Sequence, residues 1–169
     1  MMTSNRLVAW DACVLLSALR QEADRWQDIK PLVLRAEKGE LGIVVSAITI
    51  TEVLYLVKNA SSGALDSQTK KIGAWFDNPY VSLINVDRAV AQRAAELRRK
   101  YPSLKTPDAI VLATALIENV VILYTYDGCD EGSGKVSGLL ALNGKESGLT
   151  IAIPDGGKAG TLFEHSNQP

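Results

Sequence analysis

Two acidic residues follow apolar runs that are typical of buried strands. Asp11 comes directly after residues 7–10, and Asp127 comes shortly after residues 120–124. In a parallel sheet the carboxyl ends of the strands share one edge, where such folds bind their ligands. The sequence therefore predicts both carboxylates at that edge, although capping of a following helix explains each Asp equally well on its own.

Two further acids lie near the starts of predicted helices. Glu52 falls in the second turn of a helix that we expect Ser46 to cap, in line with the apolar Ile48, so its carboxylate costs free energy unless something compensates it. Asp108 falls in the first turn of another helix, where interaction with the helix dipole also explains it. Convergence of the four acids is thus a hypothesis, and Glu52 is its most telling member.

The chemistry open to four converging carboxylates is that of a divalent cation. Their mutual repulsion would raise their pKa values, and a hard cation would relieve it. Oxygen ligands without His or Cys suit Mg²⁺ or Mn²⁺ rather than zinc, and the single histidine, His165, is predicted to be solvated in a polar tail. Such a site can activate water and stabilise a leaving oxygen, so phosphodiester hydrolysis is the reaction it serves best.

The elements that must position these residues alternate between strand and helix, which indicates an α/β fold. After Asp11 we expect a short helix. The other expected helices cover residues 21–38, 46–58, 68–76, 88–100 and 106–117, the strands cover residues 7–10, 43–45, 81–86, 120–124 and 149–153, and residues 59–67 form a loop. The prediction is a single domain at residues 1–154, with a central, mostly parallel sheet between helices in three layers. Residues 155–169 are expected to form a disordered C-terminal tail.

The composition excludes several classes of protein. Among 169 residues, 18 Lys and Arg face 19 Asp and Glu, giving a net charge of −1, whereas proteins that hold nucleic acid by bulk electrostatics carry a basic excess. Two cysteines are too few for a disulfide framework, so a reducing compartment is expected. Polar side chains interrupt the longest apolar stretch, residues 109–124, and no secretory signal is recognised, so we expect a soluble cytoplasmic protein.

Four segments form an ordered series of motifs around these acids. The first is the apolar strand that ends in Asp11, followed by Val14-Leu15-Leu16. The others are Ser46-Ala47-Ile48-Thr49-Ile50-Thr51-Glu52, Thr106-Pro107-Asp108-Ala109 with Ala113, and Leu123-Tyr124-Thr125-Tyr126-Asp127. With residues 139–146 as a late region, this series resembles the PIN-domain family, and within it the VapC-type toxin ribonucleases of toxin–antitoxin pairs.

The resemblance implies a metal-binding quartet of Asp11, Glu52, Asp108 and Asp127, with Thr125 as a polar residue that positions metal or water. It also implies Mg²⁺- or Mn²⁺-dependent endonucleolytic cleavage of RNA. The implied assembly is a homodimer that is inhibited by a small cognate antitoxin protein. RNA and the antitoxin are therefore the expected partners, and no membrane is expected to be involved.

The chain departs from the family pattern at two places. Many members have Ser or Thr directly after the first Asp, where this chain has Ala12. Many also read T-x-D-x-D-F, whereas here the second acid is Asp130 and no Phe follows it. The role of Asp130 is therefore left without a prediction, and the glycine-rich residues 128–138 are expected to form a loop whose course the family pattern does not give.

Basic residues precede Asp108 and offer contacts to a nucleic acid. Arg98, Arg99, Lys100 and Lys105 lie close before it in the sequence, where they could meet RNA phosphates beside the site. A solvated helix face explains most of them equally well.

Other readings of the chain compete with a nuclease. A haloacid-dehalogenase-type phosphotransferase needs a second Asp two residues after the first, where Cys13 stands. A receiver domain needs paired acids after the first strand and a late strand-end Lys, and neither is evident. The serious alternative is a non-catalytic PIN-like binding module that acts through protein partners, against which retention of all four acids argues.

Overall fold

The computed structural model describes residues 6–55, 62–129 and 137–156. In chain order its elements are β1 (Arg6–Trp10), α1 (Ala12–Arg20), α2 (Trp26–Glu37), β2 (Leu41–Ser46), α3 (Ile48–Tyr55), α4 (Ser62–Phe76), β3 (Val81–Ile84), α5 (Arg88–Lys100), α6 (Thr106–Ile117), β4 (Ile122–Tyr124), a 3₁₀ turn (Leu140–Leu142) and β5 (Thr150–Ala152). No described helix combines the length and the apolar character that crossing a membrane requires.

The strands form one parallel sheet in the order β3-β2-β1-β4-β5. The chain builds outward from β1 through β2 to β3, and then returns to the other side of β1 for β4 and β5. The order therefore reverses between β1 and β4, whose register pairs Trp10 with Tyr124. At such a reversal the connections leave in opposite directions and open a crevice at the carboxyl ends of the strands.

Each face of the sheet carries its own hydrophobic core. Ala9, Val44 and Leu123 point to one face and pack with α5 and α6. Trp10, Ile43, Val45 and Tyr124 belong to the other core, with residues of α1 and α2. Strands that are buried on both faces read as continuous apolar runs, which is why residues 8–10 and 43–45 carry no alternation. The predicted three-layer α/β fold is confirmed, and every strand pair is parallel.

Local signals explain where several helices begin. The Asp87 carboxylate accepts a hydrogen bond from the Val90 N–H at 2.9 Å and caps α5, which covers the predicted residues 88–100. Helix α6 begins at Thr106 with Pro107 in its first turn, and Lys105 is the N-cap residue. Both helices end at the predicted residues.

The prediction that Ser46 caps a helix is wrong. Ser46 is the last residue of β2, where it pairs with Ile84 of β3, and the Ala47 N–H continues the pairing by donating to the Ile84 carbonyl at 2.8 Å. Because the backbone of residues 46 and 47 pairs with β3, α3 starts only at Ile48. The buried Ser46 hydroxyl has no hydrogen-bond partner in the described structure.

Helix α4 also differs from its prediction, because it begins at Ser62 inside the segment expected to be a loop. Residues 56–61 lie outside the described residues. They include the predicted end of the preceding helix and the first residues of the segment expected to be a loop. Of the predicted C-terminal tail only residues 155 and 156 are described, so the domain boundary at residue 154 stays a prediction.

Candidate active site

Asp11 lies at the reversal of the sheet, directly after β1, and is almost completely buried. Its N–H donates to the Tyr124 carbonyl at 3.1 Å, which extends the pairing between β1 and β4. Oδ1 accepts the Ala12 N–H at 2.7 Å, so the residue does cap α1. Oδ2 accepts hydrogen bonds from the Thr125 hydroxyl at 2.8 Å and the Cys13 thiol at 3.2 Å.

Thr125 connects two of the four acids. Its side chain is fully buried at the end of β4, where Oγ1 donates to Asp11 and accepts the Asp127 N–H at 2.9 Å. A single hydroxyl thereby fixes the orientation of one carboxylate and the backbone that carries another. The role implied for Thr125, positioning of metal or water, stays a prediction, and the contacts seen here are with the protein's own acids.

Cys13 contacts Asp11, although the sequence analysis did not assign it to the site. Its Sγ accepts the Tyr126 N–H at 3.1 Å while the thiol donates to Asp11 Oδ2, so it joins the start of α1 to the segment after β4. Burial, and next the charge of Asp11, raise the pKa of the thiol to about 12, so it remains protonated and able to donate. It supplies a hydrogen-bond donor beside Asp11, where the neighbouring Ala12 has no side-chain donor.

Asp127 is held from the opposite side by the segment that precedes the 3₁₀ turn. Its Oδ2 accepts the Leu139 N–H at 2.9 Å. The preceding residue, Gly138, has a positive φ of 53°, and a Cβ atom there would run into the Asp127 carboxylate. Glycine therefore avoids both a strained backbone and a displacement of the Asp127 carboxylate.

Glu52 and Asp108 are half-buried and complete the group from α3 and from the start of α6. Burial, and then the charges of Asp11, Asp108 and Asp127, raise the pKa of Glu52 to about 7. Burial, and then the charges of Asp127 and Asp11, raise the pKa of Asp108 to about 6, although Lys105 acts in the opposite direction.

The pKa of Asp11 is also raised. Burial is the main cause and the charge of Asp127 adds to it, while hydrogen bonds from Thr125, Cys13 and Ala12 oppose the shift. The backbone thus brings all four predicted acids within electrostatic reach of one another, at the predicted edge of the sheet.

As the side chains lie, no three His, Cys, Asp or Glu residues of the described ranges are gathered closely enough to form a metal site. The donors are nevertheless four carboxylates and one hydroxyl, which are the oxygen ligands that Mg²⁺ and Mn²⁺ prefer. The pKa values of Glu52 and Asp108 are raised first by burial and then by the charges of the neighbouring acids, and a divalent cation would relieve that repulsion. The chemistry of the donors therefore fits such a cation. Asp130 and His165 lie outside the described residues.

An open cavity of about 520 Å³ leads away from Asp108 and Asp127. Lys100 and Lys105, two of the four basic residues noted in the sequence, line it together with Tyr101 and Lys145. Arg98 instead donates to the Leu104 carbonyl at 3.3 Å, beside the start of α6. The sequence indicates no role at the site for Tyr101 or for Lys145, although Lys145 lies in the late region at residues 139–146, and the three-dimensional arrangement brings both to the cavity.

Comparison with known protein families gives a match over most of the chain. The model of the PIN domain family matches residues 8–128, a span that contains all four acids. No curated protein matches the sequence.

Several solved structures share the fold. The VapBC2 complex of Rickettsia felis bound to a promoter DNA fragment aligns with a TM-score of 0.62 at 16% identity, covering 88% of this chain and 99% of that chain. A toxin–antitoxin complex from Klebsiella pneumoniae gives 0.51 at 24% identity, covering 75% and 92%. VapC20 of Mycobacterium tuberculosis, a toxin that cleaves the sarcin-ricin loop, gives 0.56 at 14% identity, covering 76% and 96%.

Proposed function

This chain belongs to the PIN domain family, and from that membership we propose that it is a divalent-metal-dependent endoribonuclease that hydrolyses RNA phosphodiesters. The observation that carries the proposal is the electrostatic coupling of Asp11, Glu52, Asp108 and Asp127 at the reversal of the sheet. Burial raises the pKa values of Asp11, Glu52 and Asp108, and the charges of neighbouring acids raise them further, so ionisation of these three groups opposes folding. A cation bound for hydrolysis would offset that cost.

We propose the four acids as the ligands of Mg²⁺ or Mn²⁺. When bound, the cation supplies positive charge that lowers the pKa of a water molecule and stabilises the oxygen that leaves phosphorus. The protein's own contribution is to hold the ligands. Thr125 and Cys13 fix Asp11 by hydrogen bonds, and Leu139 fixes Asp127. Such supporting bonds commonly change metal affinity or activity by about 10- to 100-fold when they are lost.

The decisive experiment is cleavage of single-stranded and structured RNA by the purified protein with Mg²⁺, Mn²⁺ or chelator. We expect cutting that depends on metal and is lost in Asp11→Asn. Glu118→Gln is the matched control, because Glu118 ends α6 at the opposite end from Asp108 and should leave cutting intact. Absence of cutting by folded, inhibitor-free protein under all conditions would instead favour the non-catalytic binding module.

We further propose that the protein is a homodimeric toxin of a toxin–antitoxin pair, acting on RNA in the cytoplasm and restrained by a cognate antitoxin. The similar folds of toxin structures from three bacteria support this proposal. Expression of the chain alone should arrest growth of its host, whereas Asp11→Asn should not. Normal growth at high expression of active wild-type enzyme would contradict the toxin role and leave ribonuclease activity standing.

A further inference from the structure

We propose that the cavity beside Asp108 and Asp127 is a nucleotide subsite, in which one base of the RNA stacks on the Tyr101 ring and the adjoining phosphates contact Lys105 and Lys145. This inference rests on the proposed function and deepens it, because it assigns where the strand lies on one side of the bond to be cut. The cavity is continuous with two of the candidate metal ligands.

The cavity has the size and composition of a ligand site. Its volume of about 520 Å³ lies in the usual range of roughly 300–1,000 Å³. One wall is the end of α5 with Lys100 and Tyr101, and another is the start of α6 with Lys105 and Asp108. The catalytic carboxylates and the aromatic ring therefore share one space.

The Tyr101 ring is held in place before any ligand arrives. Its backbone N–H donates to the Leu97 carbonyl at 2.7 Å, at the end of α5, and its ring packs against the core beneath. Its hydroxyl donates to Glu146 Oε1 at 2.7 Å. A ring that is already fixed loses little conformational entropy on stacking, which makes it an efficient platform for a base.

The Glu146 side chain that anchors this ring is itself well secured. It is only 8% exposed and accepts charged hydrogen bonds from Lys100 at 2.7 Å and from Arg93 at 3.3 Å. Lys100 is thereby committed to a protein carboxylate. Its ammonium lies over the Tyr101 ring, 5.1 Å from the ring centre.

Two other ammonium groups are available to a phosphate. The Lys145 Nζ lies over the Tyr101 ring at 5.9 Å from its centre, where an approaching phosphate can meet it, and Lys105 lies at the N-cap of α6, in the turn that carries Asp108. Within the described ranges neither forms an ion pair with a carboxylate. A flat ring flanked by uncommitted cations matches a nucleotide, which offers a π-face and a phosphate together, better than it matches a peptide.

Binding of short fluorescent RNA tests the subsite without requiring turnover. Asp11→Asn protein is titrated in chelator with an eight-nucleotide single strand and with strands that lack one base at successive positions. We expect removal of one particular base to weaken binding by about 5- to 100-fold. Tyr101→Leu should lose the sensitivity at that position alone, and Tyr101→Phe, which keeps the ring, should retain it.

The phosphate contact has an independent test that leaves Tyr101 unchanged. Lys145→Gln should reduce the slope of log affinity against log salt by about 0.7, as expected for one lost contact to a single strand. Lys38→Gln is the control, because Lys38 follows α2 and precedes β2, on the edge of the sheet away from the acids. It should leave the slope unchanged.

Failure of the subsite and failure of the proposed function give different results. If wild-type protein cuts RNA but Tyr101→Leu shows the same sensitivity to base removal as its parent, the subsite is wrong and the nuclease stands. If a strand without any bases binds as tightly as RNA, or if Lys145→Gln leaves the slope unchanged, the nucleotide assignment is wrong. If wild-type protein neither binds nor cuts RNA, both proposals fail, and a protein segment is the better occupant.

Discussion

At the scale of single residues, Thr125 has the most exacting position. Its buried hydroxyl donates a hydrogen bond to the Asp11 carboxylate and accepts one from the Asp127 N–H. No methyl group can replace it without leaving a buried N–H and a buried carboxylate each short of a partner. Unmade hydrogen bonds of buried groups are more costly than made ones are stabilising.

Thr125→Val should therefore lower the free energy of unfolding by about 1–3 kcal/mol and reduce metal-dependent cleavage by about 10- to 100-fold. Thr125→Ser, which keeps the oxygen, should stay close to wild type in cleavage. Urea unfolding and single-turnover RNA cleavage measure the two effects.

Thr114→Val provides the matched control for the loss of a buried hydroxyl. The Thr114 hydroxyl is buried in α6 but donates only to the Ile110 carbonyl of its own helix at 2.8 Å. That variant should retain cleavage. Wild-type cleavage by Thr125→Val would show that its hydroxyl is not needed to position Asp11.

The acids could be identified from sequence because a carboxylate after an apolar strand, or on an apolar helix stripe, is conspicuous. Cys13 could not, because a half-buried thiol looks the same whether it packs or donates, and its partners Asp11 and Tyr126 become neighbours only in the folded sheet. Tyr101 and Glu146 are 45 residues apart and share no motif, so their hydrogen bond could not be predicted from the sequence.

At the scale of elements, Gly138 and Leu139, which precede the 3₁₀ turn, lie directly against the Asp127 carboxylate. The Leu139 N–H reaches the carboxylate because Gly138 has no side chain to hold the segment away. The backbone there also takes a left-handed conformation that glycine adopts without penalty.

Gly138→Ala should displace the Asp127 carboxylate and reduce metal-dependent cleavage at least about 10-fold, the scale of a lost supporting contact. Gly144→Ala separates this displacement from strain alone, because Gly144 also has a positive φ, of 76°, but nothing lies within 4 Å of the position of its Cβ. It should cost about 1 kcal/mol of stability and leave the rate unchanged. Equal rates in both variants would argue against this account of Gly138.

The Glu146 cluster joins the end of α5 to the segment after the 3₁₀ turn. Burial alone would raise the pKa of Glu146, but hydrogen bonds from Lys100 and Tyr101, helped by the charges of Lys100 and Arg93, outweigh it and hold the pKa below its ordinary value of 4.5. A carboxylate with a lowered pKa in the folded state stabilises the fold above the pKa of the unfolded chain and loses that contribution as the pH falls.

Glu146→Gln should accordingly lower the free energy of unfolding by about 1–3 kcal/mol at pH 7, because charged hydrogen bonds are replaced by neutral ones. The difference from wild type should persist down to about pH 5 and shrink below the unfolded pKa of about 4.3. Urea unfolding of both proteins between pH 3.5 and 7 measures it. A difference that grows as the pH falls would contradict the assigned direction.

Element boundaries were predictable where a local signal dominates and not where the sheet does. Asp87 and Pro107 determine where α5 and α6 begin, and both act on residues close to them in the sequence. Ser46 carries an equally good capping signal, but pairing with Ile84 extends β2 through it and delays α3. The competing partner lies in a distant strand that no local pattern reveals.

At the scale of the whole molecule, the fold carries a cluster of like charges at its central crevice. The raised pKa values of Asp11, Glu52 and Asp108 mean that deprotonating these groups opposes folding. A cation that binds only the folded state should offset this opposition by mass action.

Mn²⁺ should raise the melting temperature of the wild-type protein, by about 5–10 °C at 100 times its dissociation constant. Asp108→Asn should melt higher than wild type in chelator, because one repelling charge is gone, and should gain much less from Mn²⁺. Scanning calorimetry at fixed pH measures both shifts. Equal gains in the two proteins would mean that Mn²⁺ binds elsewhere.

The pairing of β1 with β4 also has a consequence for how the protein is made. The hydrogen bond from Thr125 to Asp11 joins residues 114 positions apart, so the first acid leaves the ribosome long before its partners exist. A nascent or prematurely terminated chain that stops before β4 contains β1 and Asp11 but neither Thr125 nor Asp127. Interrupted translation before β4 would therefore yield fragments that lack Asp127 and the hydroxyl that orients Asp11, so the four acids can come together only after synthesis has passed β4.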